Sequence, residues 1–286
     1  MSPWWSGLFR RGPSKGPLNP PGMSSRGQGP PALTRLLNAT LQTVWPATCA
    51  ACGRSIPDEA LFCASCNLSI NPLVGACQGC ALPIGDLFAA VDRTSRCRTC
   101  RRVPFPFVNA TAGFEYGEAL AEALVRMKHG GRRFLARRLA RLLVEPLAGA
   151  LARGRLERAD AVMAVPLHAH KLGVRGFNQA LELARCALVG LARSPARASR
   201  KDLPRLERHL LHRVRPTREL GHSGPAARLA EVAGAFLVSD TARIRGRRVL
   251  LVDDVFTTGA TFSECSDALL RAGAAEVHVL ALARAV

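Results

Sequence analysis

Val249-Leu250-Leu251-Val252-Asp253-Asp254-Val255-Phe256-Thr257-Thr258-Gly259-Ala260-Thr261 decides the fold. A run of four apolar residues ending in two carboxylates predicts a strand over 247–253 that is buried on both faces. Such a strand delivers Asp253 and Asp254 to its C-terminal end, where open α/β sheets bind their ligands. The turn Thr257-Thr258-Gly259-Ala260-Thr261 then opens a helix predicted over 261–272. Its backbone N–H groups and the helix N-terminus make a nest for phosphate, with the threonine hydroxyls as added donors. Gly259 lets the backbone approach a phosphate closely. Carboxylates beside such a nest would repel the phosphate unless they face something else, and sugar hydroxyls or a bridging Mg²⁺ are the natural partners. The site therefore asks for a phosphorylated sugar. A nucleotide hydrolase would need a Gly-x-x-x-x-Gly-Lys-Ser/Thr loop, which the chain lacks. A purely structural Asp-Asp turn is the bland alternative.

Outward from this stretch the pattern alternates in the manner of a parallel sheet. Strands are predicted at Ala159–Leu167 and Glu276–Ala283, with a helix at Asn178–Leu191 between the first of them and the deciding strand. Upstream, Thr111–Tyr116 reads as a strand, and Glu118–Met127 and Arg132–Leu151 as helices. The second of these carries Leu135, Leu139, Leu142 and Leu143 on one face and Arg133, Arg137 and Arg141 on another, with Arg138 beside them. Residues 194–225 read as a long basic, Pro-containing connection, and Ala235-Phe236-Leu237 is strand-like. The expected class is α/β: a parallel sheet with helices on both faces.

Ahead of it, over 49–100, lie four Cys-x-x-Cys pairs: Cys49/Cys52, Cys63/Cys66, Cys77/Cys80 and Cys97/Cys100. Each pair presents two thiolates to one metal, and two pairs complete a tetrahedron. The simplest grouping is two successive ribbons, one Zn²⁺ on the first four cysteines and one on the last four, with interleaved pairing open. Eight thiolates saturate two sites, so the role is structural, and the metal supplies folding energy that so short a segment lacks. A disulfide framework would need an oxidising compartment, and a redox motif needs fewer pairs. Cys186 and Cys265 stand alone in predicted helices and read as packing.

The chain of 286 residues is 48% hydrophobic and 21% charged, which excludes wholesale disorder. No apolar run reaches the length of a membrane span, and no secretory signal pattern is visible. The expected location is the cytoplasm. Residues 1–31 are rich in Gly, Pro and Ser and read as a disordered tail, and the spacing of Leu33, Leu36, Leu37, Leu41 and Val44 predicts a helix stopped by Pro46. The expected division is thus a tail over 1–31, a helix plus double ribbon over 32–102, and the α/β unit over 103–286. A net charge of +19 is concentrated in 126–158 and 193–218, patches that attract nucleic acid or clustered phosphates. Arginines filling solvated faces are the equally simple reading of that charge.

The Asp-Asp and Thr-Thr-Gly-Ala-Thr stretch resembles the phosphoribosyl pyrophosphate (PRPP) motif of type I phosphoribosyltransferases. Val165-Pro166-Leu167-His168, Lys171 and Arg175-Gly176-Phe177-Asn178-Gln179-Ala180 are similar to the signature of the ComF family, which joins a four-pair cysteine ribbon to that fold. The resemblance covers about residues 33–286. It implies that Asp253 and Asp254 hold ribose hydroxyls, and that Thr257, Thr258, Gly259, Ala260 and Thr261 cradle the 5′-phosphate. It also implies that Lys171 and Arg175 neutralise the pyrophosphate, a leaving group that needs cations. Lys128 matches a family position without an assigned role. His168 and His170 are acid/base candidates, although a histidine near a loop is more often a hydrogen-bonding bystander. The chain departs from the family before the strand-like 235–237. Where members show Gln, Gly-Leu, Arg and Asn, it has Leu220, His222-Ser223, Arg228 and Glu231, and only Arg228 matches. That segment lies where these transferases carry a mobile loop over the site.

The resemblance implies Mg²⁺-dependent transfer of phosphoribose from PRPP to an unidentified acceptor. It equally implies a competence-type role in the uptake of single-stranded DNA, with helicase or recombination proteins as partners. A non-catalytic DNA-handling protein on the same fold is the alternative, and a PRPP sensor is a third reading. With one Tyr and three Trp the chain has few base-stacking platforms, so DNA contacts would fall mostly on phosphates.

Overall fold

The structure is a computed structural model and describes residues 47–57, 60–84, 95–156, 160–194, 203–217 and 225–286. The tail expected over 1–31, the helix expected over 32–44, and Leu220, His222 and Ser223 lie outside the described residues.

Two short helices, α1 (Ala64–Asn67) and α2 (Arg98–Arg102), belong to the cysteine region. The α/β unit follows with β1 (Asn109–Glu115), α3 (Glu118–Lys128), a single 3₁₀ turn at His129–Gly131 and α4 (Arg133–Arg153). Next come β2 (Ala161–Ala164), α5 (Ala169–Arg175), α6 (Gln179–Ala192) and the short strands β3 (Arg205–Glu207) and β4 (Leu211–Arg213). The chain closes with α7 (Pro225–Val232), β5 (Phe236–Val238), β6 (Arg248–Phe256), α8 (Ala260–Arg271) and β7 (Glu276–Arg284).

Five strands form a parallel sheet in the order β1-β7-β6-β2-β3, as the apolar strands predict. β6 lies at its centre, and its alternate residues feed two cores. Leu250 and Val252 join Val162, Leu280 and Leu282 beneath α4 and α6, against Leu139, Leu143 and Leu183. Val249 and Leu251 join Met163, Val277 and Val279 on the opposite face, where α8 contributes Phe262, Cys265 and Leu269. Both faces are therefore covered, which is why the strands read as continuous apolar runs and not as an alternation. β2 and β6 are neighbours, yet β2 leads outward to β3 while β6 leads the other way to β7. Their C-terminal ends thus flank a topological switch point, the place where such sheets open a ligand crevice.

The segment over 194–225, read as plain connection, contains β3 and β4 among its described residues. β4 pairs antiparallel with β5 in a separate two-stranded sheet. Each is three residues long, and Pro204 and charged neighbours hide any alternation at that length. The stretch after β2 is partly helical: His168 caps α5, its side chain accepting from the His170 N–H, and Gly176 closes it in the left-handed conformation.

The cysteine region is stitched along the outer side of β1. Pro72 bridges Phe114, the Leu73 N–H donates to the Gly113 carbonyl, and the Ala110 N–H donates to that of Gln78. Cys49 and Cys63 are packed into the core under α3 and α4, and Cys77, Cys80 and Cys100 into the core on the α8 side. The ribbon therefore straddles the sheet edge and shares both cores.

Candidate functional site

The eight cysteines fall into two groups, Cys49, Cys52, Cys63 and Cys66, and Cys77, Cys80, Cys97 and Cys100, with the sulfurs of each within 4.8 Å of one another. This is the successive pairing, not the interleaved one. Cys52 and Cys63 have their sulfurs 3.7 Å apart, and Cys80 and Cys97 3.8 Å. A tetrahedral ion with metal–sulfur bonds of about 2.3 Å needs sulfur–sulfur edges near ~3.8 Å. A disulfide would need about 2.05 Å, so the donor set fits structural metal ions such as zinc. Backbone N–H groups of Gly79 and Cys97 point at the Cys77 sulfur at 3.3 and 3.1 Å. A hydrogen bond with Cys80, followed by these backbone donors, outweighs burial and draws the Cys77 thiol down to about 4.

At the switch point the C-terminal end of β6 carries Asp253, partly buried, and Asp254, buried. Asp254 is held from two sides: Lys128, the last residue of α3, places its Nζ 2.5 Å from Oδ2, and Gln179 Nε2 donates to Oδ1 at 3.1 Å. Arg175 in turn donates to Gln179 Oε1 at 2.6 Å. Helices α3, α5 and α6 therefore converge on one carboxylate through a connected chain of side chains. The Asp253 carboxylate accepts from the Asp254 N–H at 2.8 Å.

The two acids titrate in opposite directions. Burial, then the adjacent Asp254 charge, pushes Asp253 well above its ordinary value. Burial also acts on Asp254, but the Lys128 charge and the hydrogen bonds around it bring the net shift below the ordinary value. Lys128 is raised, because attraction from Asp254 and Asp253 outweighs burial and the opposing charge of Arg175. Lys128 thus favours the ionised form of Asp254, while burial and the adjacent charge disfavour ionisation of Asp253.

Beyond the acids the chain turns at Thr257 and Thr258, and Gly259 caps α8 at φ +85°. Gly259 gives α8 no side-chain cap, and the Thr258 hydroxyl accepts from the Ala260 N–H at 3.4 Å, leaving the N–H groups that follow for a ligand. A Cβ on Gly259 would lie 2.7 Å from Phe105 and 2.9 Å from Phe256, which makes the glycine obligatory for packing as well as for its backbone angle. Ala260 is buried and Thr261 partly so.

Of the residues singled out in the sequence, Asp253, Asp254, Lys128, Arg175 and Gln179 meet here, and 257–261 form the adjoining turn. Lys171 lies one turn before Arg175 on α5. His168 caps that helix, and its Nδ1 accepts the His170 N–H at 3.3 Å, the bystander role. Asn178 serves as the cap of α6, accepting from the Leu181 N–H at 3.1 Å. Cys265 is buried as packing, while Cys186 is half-buried beside Arg185. Two contributions were not legible. Lys128 and Gln179 reach Asp254 across 126 and 75 positions of chain, and only their inclusion in family-like motifs marked them.

The phosphoribosyl transferase domain family matches residues 129–285. Among curated proteins, the chain is 33% identical to Competence protein F of Haemophilus influenzae over 59% of this chain and 70% of that one. It is 30% identical to the DNA utilization protein YhgH of Escherichia coli O6:H1, and 29% to that of Salmonella typhimurium, each over 66% of this chain and 77% of the relative. With the parallel sheet, the acidic pair before the Thr-Gly turn and the two four-cysteine groups in place, the chain belongs to the phosphoribosyl transferase domain family, in its cysteine-ribbon ComF branch.

Proposed function

We propose that this chain binds PRPP with Mg²⁺ at the C-terminal end of β6 and transfers its phosphoribosyl group to an acceptor. The observation that carries this reading is the convergence of Lys128, Gln179 and Arg175 on an acidic pair that leads directly into a helix N-terminus whose capping residue is a glycine. In this reading Asp253 and Asp254 face the ribose hydroxyls, and 257–261 hold the 5′-phosphate. Lys171 and Arg175 lie against the pyrophosphate. A bond from the acceptor to the anomeric carbon forms as the bond to the pyrophosphate oxygen breaks. Pyrophosphate leaves with the electron pair, and the acceptor gives up its proton. Mg²⁺ would neutralise the departing oxygens, and the two cations of α5 add to that stabilisation. Two zinc ions would hold the ribbon.

Calorimetric titration of Mg²⁺-PRPP into the zinc-loaded protein tests this, with an Asp253→Asn/Asp254→Asn variant alongside. Binding by the parent that is lost in the folded variant supports the site, and release of pyrophosphate in an acceptor screen supports transfer. Absence of binding by the parent rejects the reading.

A second reading is favoured by a different observation. Arg133 and Arg137 on α4 keep about half of their side-chain surface exposed while sharing one buried carboxylate, Glu182, with Arg185. Three guanidinium groups around a single acid leave surplus positive charge on that face. Relatives bear the names Competence protein F and DNA utilization protein. In this reading the chain handles single-stranded DNA in the cytoplasm, with competence helicase or recombination proteins, with or without transfer chemistry. Among the described residues no helix is long and apolar enough to cross a membrane.

A further inference from the structure

The second four-cysteine group and the phosphate turn are joined by one side chain that neither motif includes. Arg284, at the end of β7, pairs in register with Phe256 at the end of β6. Its Nε donates to the carbonyl of Cys80 at 2.7 Å. Its Nη1 donates to the carbonyls of Thr257 at 2.7 Å and Phe256 at 3.1 Å, and also to that of Ala285. The guanidinium carbon lies 4.8 Å over the Phe256 ring. One planar fork thus spans the Cys80 knuckle, the last residue of β6 and the first residue of the turn, which a lysine ammonium cannot do with the same geometry.

An apolar path runs parallel to it. Phe107 is buried with Cys77, Cys80 and Cys100, and it stacks on Phe105 at 4.8 Å between ring centroids. Phe105 meets Phe256 edge-on and closes over Gly259, the residue that starts α8. Charged hydrogen bonds and stacked rings therefore bear on the same five-residue turn from the same direction. Within the turn the Thr258 hydroxyl accepts from the Ala260 N–H at 3.4 Å, a long contact.

We infer that Arg284 is a positioning residue that fixes the phosphate turn against the Cys80 knuckle, so that the second four-cysteine unit serves as a buttress of the ligand site. The functional part of this inference rests on the PRPP reading above. The mechanical part does not, because the contacts of Arg284 given above are with protein carbonyls and the Phe256 ring.

The test is amide hydrogen exchange on the metal-loaded full chain, comparing the parent with Arg284→Lys, together with Mg²⁺-PRPP titration of both. Arg284→Lys keeps the charge and removes the fork. The expected result is exchange about tenfold faster or more over 263–266, the first hydrogen-bonded amides of α8, with β2 and the start of β7 still protected, since charged hydrogen bonds of this kind hold local structure closed by at least that factor. PRPP affinity should fall by a similar factor, and saturating PRPP should restore part of the protection. Unchanged exchange over 263–266 overturns the inference. So does loss of protection spread evenly over the sheet, because Arg284 would then support the whole fold and not the turn. If the parent binds no PRPP, the proposed function fails by itself, and exchange over 263–266 still decides whether the brace exists.

Discussion

Lys128 and Asp254 form a pair whose two members are shifted in the directions that keep both charged. Asp254 is lowered, so its contribution to stability is present above the ordinary value of 3.8 and is lost as pH falls through the folded value. Lys128 is raised, so its contribution is present below 10.5 and is lost as pH rises through its folded value. Removing one member leaves the other charge without a counterpart in a site from which water is largely excluded. Lys128→Met should therefore destabilise by about 3–5 kcal/mol in denaturant unfolding, most of it recovered in Lys128→Met/Asp254→Asn. A single variant with parental stability would show that water, not Lys128, carries Asp254. Asp253 carries the opposite sign. An acid whose folded value is raised stabilises below its ordinary value, and that contribution is lost as pH rises towards the folded value. Asp253→Asn should melt at a higher temperature than the parent at about pH 8 and at nearly the same temperature at about pH 3.5. In the PRPP reading the same variant loses ligand affinity, so a stabilised but non-binding protein is the outcome to look for, and a destabilised one at about pH 8 contradicts the assignment.

At the scale of elements, α3 and α4 do more than cover the sheet. Arg126 donates to the carbonyls of Cys49 at 3.2 Å and Ala51 at 2.5 Å, and Arg138 to those of Thr48 at 2.6 Å and Ala60 at 2.8 Å. The two helices thereby hold the first four-cysteine group as Arg284 holds the second. Chelator competition on Arg138→Met should release one metal equivalent about tenfold faster or more and leave the other near its parental rate, given the worth of charged hydrogen bonds. Equal acceleration of both would mean that the ribbon opens as one unit. β1 and α4 meet just as closely at Gly113, where a Cβ would lie 2.8 Å from the ring of Pro146. Gly113→Ala should cost about 1–3 kcal/mol of stability, since a proline ring inside a helix has little room to yield. Little of this could be read from the sequence. Arg138 looked like one of a row of solvated arginines because periodicity reports which face a residue occupies and not which distant carbonyl it meets. The parallel sheet was legible because strands covered on both faces must be apolar throughout. The phosphate turn was legible because its chemistry lies in consecutive residues. β3, β4 and α7 were not, being too short for a period to show.

For the whole molecule the question is what a net charge of +19 does. Part of it is used inside the protein: Arg126, Arg138 and Arg284 bind backbone carbonyls, and Arg248 pairs with Asp160 at 2.8 Å. The α4–α6 face is different, because there Arg133, Arg137 and Arg185 outnumber their one acid. Glu182 is lowered, since burial is outweighed by hydrogen bonds from Arg133 and Arg185, so it stays ionised and depends on its partners. Charge reversal at Arg133 and Arg137 would strand it and confuse unfolding with lost binding. The informative variant is Arg133→Gln/Arg137→Gln/Glu182→Gln, which removes the two exposed arginines without burying an unpaired carboxylate. If this face meets single-stranded DNA, oligonucleotide affinity should fall steeply with salt, and the triple variant should flatten the log–log slope by about 1.4, two phosphate contacts at about 0.7 each. Asp253→Asn/Asp254→Asn should leave that slope unchanged, because the acidic pair opens at the C-terminal end of β6 and the arginines lie on the outer helices. A slope that responds to the acidic pair but not to the arginines would place the nucleic acid in the crevice itself. DNA would then be a candidate acceptor and no longer a separate partner.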